Sequence, residues 1–187
     1  MVAMAAFAAV AVDLKVGFSR ADITPPLGSF MPGYYQERHA KSVLDPLQIN
    51  MLAFSDGVTT ALVAQVDTLG LSEMVVAKML DAVSGATGVD RDAILLHASH
   101  THDGGYLLLG DEFGEVGEDG FPKNAQTVDR IYFRMCVSRA ADAAVEALEF
   151  PVVVMLEHRE AVLVADFNHR VGEFGRLWYS PAQCQRV

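Results

Sequence analysis

The chain has 187 residues, 51% of them apolar and 20% charged, which suits a globular domain with a sizeable core. Its formal charge of −10, with no cluster of Lys and Arg, argues against a phosphate-binding face and so against nucleic acid as a partner. No stretch is long and apolar enough to cross a bilayer as a helix, so no integral membrane segment is expected.

Residues 1–12 form a short apolar run containing Ala9-Val10-Ala11, a small-residue pattern of the kind found at cleavage sites. They read as a signal-peptide remnant, which would send the chain to the periplasm or outside the cell; the alternative is a buried first strand. Residues 13–187 then read as one domain. Val16 to Phe18 is the first expected strand of that domain, and Pro25-Pro26 ends it in an extended connection. Gly28 to Tyr35 is a loop rich in glycine and aromatic residues. His39, in a charged stretch, reads as solvent-exposed rather than as a ligand.

Leu47 to Phe54 and Val58 to Val66 are β-rich runs joined by Ser55-Asp56-Gly57, a hairpin signal. A helix is expected over 72–86, with Ser72 as N-cap and Val75, Val76, Met79, Leu80 and Val83 on one face. Ala93 to Leu96 reads as a buried strand that leads into LLHASHTHDGG. The acidic, glycine-rich stretch from Asp111 to Asp119 reads as a solvated loop; its spacing does not fit an EF-hand. A second helix is expected over 126–148, with Ile131, Met135, Val137, Ala141 and Val145 near one side. Cys136 within it reads as a small core residue. Cys184 and Cys136 show no disulfide framework. Strands over 152–157 and 161–167 follow, the second ending in Asn168-His169-Arg170. This order predicts an α/β domain, a layered mixed β-sheet with flanking helices.

Three of the six histidines lie in one short segment: His97, His100 and His102. In a strand, residues i and i+2 share a face, so His100 and His102 would face one site and His97 the other side. Neutral imidazole is a good zinc ligand. One histidine of such a pair can hold metal while its neighbour contacts the substrate oxygen or moves a proton. The bland alternative is that the histidines cap a strand and bond to backbone groups. Asp67, at the end of another expected strand, suits a ligand, a base, or a group orienting His100 through its second ring nitrogen. Ser99 lacks a nucleophile elbow, and neither a Walker loop nor a dinucleotide fingerprint is present.

VGFSRADITPP, MPGYY, QVDTLGL and LLHASHTHDGG, in this order, resemble the N-terminal part of the neutral/alkaline, non-lysosomal ceramidases over roughly residues 16–170. The resemblance implies a Zn2+-dependent amide hydrolase that cleaves ceramide, a lipid-like amide, to sphingosine and fatty acid. It implies His100 as a metal ligand and His102 as the residue contacting the reacting amide oxygen. The family's N-R-S arginine falls on His169, or on Arg170 with a shift of one, so these two are the further catalytic candidates. The family's S-G-P-G-G is Asp103-Gly104-Gly105 here. Its remaining ligands, a second His, a Glu and a Tyr, lie farther downstream than this chain extends. The resemblance therefore implies a fragment, incomplete relative to the family's catalytic domain and inactive by itself. The alternatives are a related hydrolase of another amide or ester, and a non-catalytic remnant.

Overall fold

The computed structural model describes residues 14–109, 117, 123, 127–149, 152–157 and 160–163. Six strands and two helices account for most of them: β1 (Leu14–Asp22), β2 (Gln48–Ser55), β3 (Thr60–Val66), α1 (Glu73–Thr87), β4 (Ile94–Ala98), α2 (Thr127–Glu149), β5 (Val152–Glu157) and β6 (Glu160–Leu163). The strands form one sheet in the order β4-β3-β2-β1-β5-β6. Only β3 and β4 run parallel, joined through α1; the other neighbours are antiparallel. The expected mixed sheet with flanking helices is the observed α/β architecture.

β1 is longer than the run of apolar residues suggested. It pairs with β2 from Lys15↔Ser55 to Asp22↔Gln48. Arg20 and Asp22 take exposed positions on the face opposite buried Gly17 and Ser19, and Lys15 is exposed near the start of the strand, so their charges do not end it. The β2–β3 hairpin turns where expected. The Asp56 carboxylate accepts from the backbone N–H groups of Val58 and Thr59 at 2.9 and 2.7 Å, an Asx turn.

The ADITPP opening has a structural task. The Asp22 carboxylate accepts from the Thr24 N–H at 2.7 Å, and the Thr24 hydroxyl oxygen accepts from the Leu47 N–H at 3.0 Å. Ile23 is fully buried and donates its own N–H to the Leu47 carbonyl. The motif thus seals the entry to β2. Hydrogen bonds from Thr24 hold the Asp22 carboxyl below its usual range.

One face of the sheet carries Ile49, Met51, Leu62, Ala64, Val66 and Ile94, which form the core with both helices. α1 contributes Val75, Met79 and Val83, and ends at Gly88 in the left-handed conformation. Ser72 stands at the N-cap position without making a side-chain cap; its hydroxyl donates instead to the Leu109 carbonyl. This ties the start of α1 to the segment after the histidines.

α2 turns a different face inward from the one its larger apolar residues suggested. Tyr132, Phe133, Cys136, Ala140, Ala143, Ala144 and Ala147 are buried, whereas Ile131 is exposed. Alanines win because the helix lies very close to β1. A Cβ on Gly17 would sit against the Ala147 carbonyl oxygen, and the Ser19 hydroxyl donates to the Ala143 carbonyl at 2.5 Å. Large side chains on this stripe would hold the helix away from the sheet. Cys136 is a core residue, as expected, and burial pushes its thiol up to about 12, so it stays protonated.

The expected signal remnant at residues 1–12, the stretch from Asp111 to Glu115, His169, Arg170 and Cys184 lie outside the described residues. Among the described residues no helix is long and apolar enough to cross a membrane.

Candidate functional site

β3 and β4 end side by side, and the chain leaves both ends in loops that carry the candidate residues. The carboxyl ends of parallel strands are where α/β sheets commonly place ligands. β4 ends at Ala98, so His100 and His102 stand on a loop and not on the strand. Strand alternation therefore does not bring them together. His97 is on the strand, exposed, and on the face shared with exposed Leu95, away from the helices.

What unites the pair is the loop's backbone. His100 has φ of 63°, the left-handed region that a residue other than glycine enters at a cost of about 1–2 kcal/mol. Such strain persists where surrounding contacts impose it, and it gathers at functional sites. Two carbonyls hold the rings on this loop. His100 Nδ1 donates to the Leu69 carbonyl at 2.8 Å, and His102 Nδ1 donates to the Gly33 carbonyl at 3.0 Å. The rings meet edge to face, with centroids 5.2 Å apart and planes at 85°.

These bonds decide the chemistry of the rings. A carbonyl oxygen only accepts, so each Nδ1 must carry hydrogen. In the neutral ring each Nε2 then keeps its lone pair, as a metal ligand or a proton acceptor requires. Asp67 does not orient His100, the third role open to it. Its carboxylate accepts from the Gln48 N–H at 3.0 Å, and the Leu69 carbonyl holds the imidazole instead. Among the described residues no group of three His, Cys, Asp or Glu side chains is placed to hold a metal ion. The two imidazoles match zinc in donor type, but they are two donors where a catalytic zinc site has three protein ligands.

Residues without a motif build the surroundings. The loop from Gly28 to Ala40 folds back on itself: Gly28 N–H donates to Ala40 O at 2.7 Å, and Met31 N–H to Arg38 O at 2.9 Å. Its tip delivers Gly33 to His102. Gly33 has φ of 97°, and a Cβ there would lie 2.6 Å from His102 Nδ1. The Tyr34 ring stands edge-on to His102, with centroids 5.6 Å apart, and Arg38 Cζ lies 3.9 Å over the Tyr34 ring. On the other side, Gly105 rests on buried Tyr132 of α2; a Cβ on this glycine would collide with the ring. The Tyr132 hydroxyl lies beside the Cys136 thiol but makes no hydrogen bond of ordinary geometry among the described residues. Burial pushes its pKa far upward.

His39 takes no part in the pair. Its Nδ1 meets the Gly28 carbonyl at 2.8 Å and its Nε2 the Glu37 carboxylate at 2.7 Å, so it ties the base of the 28–40 loop. The sequence drew attention to the glycines and aromatics of this loop, but spacing carries no signal that Gly33, Tyr34 and Arg38 reach His102.

No family model matches the chain, and no curated protein matches its sequence. Solved structures do match its shape. Neutral ceramidase from Pseudomonas aeruginosa superposes with a TM-score of 0.59 at 16% identity, covering 76% of this chain and 22% of that one. The fold is ceramidase-like. A ceramidase complexed with C2 gives a TM-score of 0.58, also at 16% identity and with the same coverage. The chain spans 22% of the length of these ceramidases, and at this identity the likeness is one of fold.

Proposed function

We propose that His100 and His102 form the imidazole part of a zinc-dependent amide-hydrolysing site whose substrate is an N-acyl amide lipid of the ceramide class. The observation that carries this reading is the pair of Nδ1 hydrogen bonds to the Leu69 and Gly33 carbonyls, which leaves an electron pair on the Nε2 of each of two rings whose centroids lie 5.2 Å apart. The ceramidase-like fold and the sequence motifs support the substrate class. Zinc in such a site supplies Lewis acidity and a water with pKa near 7.

His100 is the proposed metal ligand, and its Nε2 is oriented by the bond to Leu69. His102 is the proposed proton carrier. With Nδ1–H committed to Gly33, its Nε2 first accepts a proton and only then donates one, to the amide oxygen or the leaving amine. The contact with the reacting oxygen thus belongs to the protonated ring. His169 and Arg170 are the proposed additional oxygen-contacting groups, on the strength of the motif alone.

Zinc titration of the purified chain tests the reading. His100→Ala is expected to lower zinc affinity about tenfold or more, and His102→Ala to abolish chelator-sensitive hydrolysis of a fluorogenic ceramide measured in a full-length relative that carries the same loop. Equal, negligible zinc in wild type and His100→Ala would sink the proposal.

A further inference from the structure

Asp103 is where this chain departs from the motif it otherwise resembles, and its carboxylate has partners on the opposite loop. The Arg38 guanidinium stands 3.9 Å from Asp103 Oδ1. The Tyr34 hydroxyl donates to the same oxygen at 3.4 Å. Arg38 also covers the Tyr34 ring, with Cζ 3.9 Å from the centroid, well inside the range of a cation–π contact. Tyr34 in turn borders His102, the residue before Asp103. Arg38 thus closes a ring of contacts: guanidinium to carboxylate, guanidinium to phenol face, phenol edge to imidazole, imidazole to the Gly33 carbonyl.

We propose that Arg38 is a positioning residue for His102, acting through Tyr34 and Asp103 to clasp the 33–38 turn onto the histidine loop and keep the His102 Nδ1 hydrogen on Gly33. This inference deepens the proposed function and rests on it for its catalytic meaning; the clasp itself rests on geometry alone. The contacts to Asp103 are long, and both charged side chains are about half exposed or more, at 45% and 66%. Neither polar contact would hold alone in water. The stacked guanidinium is the part that makes them cooperate, because a planar group can cover the ring and face the carboxylate at once. Lysine, a point charge on a flexible stem, cannot do both.

The consequence lies in the tautomer. A solvated imidazole favours hydrogen on Nε2, the wrong nitrogen for a proton acceptor in this site. The Gly33 carbonyl reverses that preference only while the 33–38 turn stays docked. Releasing Arg38 lets the turn lift and returns His102 towards the solvent tautomer.

Nitrogen-15 imidazole spectra of the full 187-residue chain measure this directly. In the wild type, His102 is expected as the Nδ1–H form. Arg38→Gln is expected to shift the ratio of tautomers towards Nε2–H by about three- to tenfold, in line with an exposed cation–π contact and a weak ion pair. Arg38→Lys should leave most of that shift in place, and Asp103→Asn should produce a smaller one. Melting curves of the same variants, close to wild type, show that the fold is intact. If Arg38→Gln leaves the His102 spectrum unchanged, or if Arg38→Lys restores it fully, the clasp assignment is overturned. If the spectra shift as expected while the wild type neither binds zinc nor supports hydrolysis, the clasp stands and the functional reading falls.

Discussion

Replacing Gly33 with alanine places a methyl carbon 2.6 Å from His102 Nδ1, 3.0 Å from Cε1 and 3.1 Å from Cγ. Two costs arise. The first is conformational: φ of 97° is open to glycine, and an L-residue in the left-handed region loses about 1–2 kcal/mol. The second is steric, about 1–3 kcal/mol if the ring stays where it is. The ring has a cheaper course. Giving up the bond to the Gly33 carbonyl costs about 1 kcal/mol, so His102 is expected to leave rather than endure the clash. Gly57→Ala provides the control, because Gly57 has φ of 85° and its added Cβ would meet nothing within 4 Å. Thermal melts of both variants isolate the His102 contribution. With about 2–4 °C per kcal/mol for a domain of this size, Gly33→Ala is expected to melt about 2–4 °C below Gly57→Ala. Its His102 imidazole spectrum should lose the Nδ1–H signature. Equal melting temperatures together with an unchanged His102 spectrum would refute the claim that Gly33 seats the ring.

Tyr132→Phe removes a buried hydroxyl that has no hydrogen-bond partner among the described residues, so stability should rise by up to about 1–3 kcal/mol; a fall of more than about 1 kcal/mol in urea melts would show that the hydroxyl is satisfied. His39 faces two acceptors, the Glu37 carboxylate and the Gly28 carbonyl, which raise its pKa above the ordinary 6.5. The folded-state pKa lies above the unfolded one, so its stabilisation of the 28–40 loop is fully present below pH 6.5 and is lost as pH rises through the raised value. Hydrogen exchange at the Gly28 and Ala40 amides, corrected for intrinsic rates, should therefore show protection falling with rising pH. His39→Gln should make that protection independent of pH, and a wild-type profile equally flat would remove the role assigned to the imidazolium.

Much of the secondary structure is legible in the chain because its cues are local. The Asp56-Gly57 turn, the 72–86 helix and the pair of runs it joins all depend on residues within a turn or two of each other. The errors share one cause. β1 runs on past the stretch expected of it because β2 pairs with residues whose own composition does not call for a strand. α2 turns its alanines inward because β1, more than a hundred positions earlier, presents Gly17 to it at close range. Periodicity finds the faces of a helix, but which face is buried depends on what lies beneath.

The candidate site divides in the same way. Sequence alone placed His100 and His102 two residues apart after a strand and beside a turn of glycines, but the strand is buried only at Ile94 and ends at Ala98, so the alternation expected to align the two rings does not reach them. It also supplied the motif order that matches a ceramidase-like fold. Tertiary structure decided the rest: that the pair stands on a loop, that the Leu69 and Gly33 carbonyls assign the ring hydrogens, and that Tyr34, Arg38 and Asp103 surround His102. A ring nitrogen becomes donor or acceptor according to the atom opposite it. For His102 that atom belongs to a residue 69 positions earlier in the chain, and folding alone brings the two within 3.0 Å.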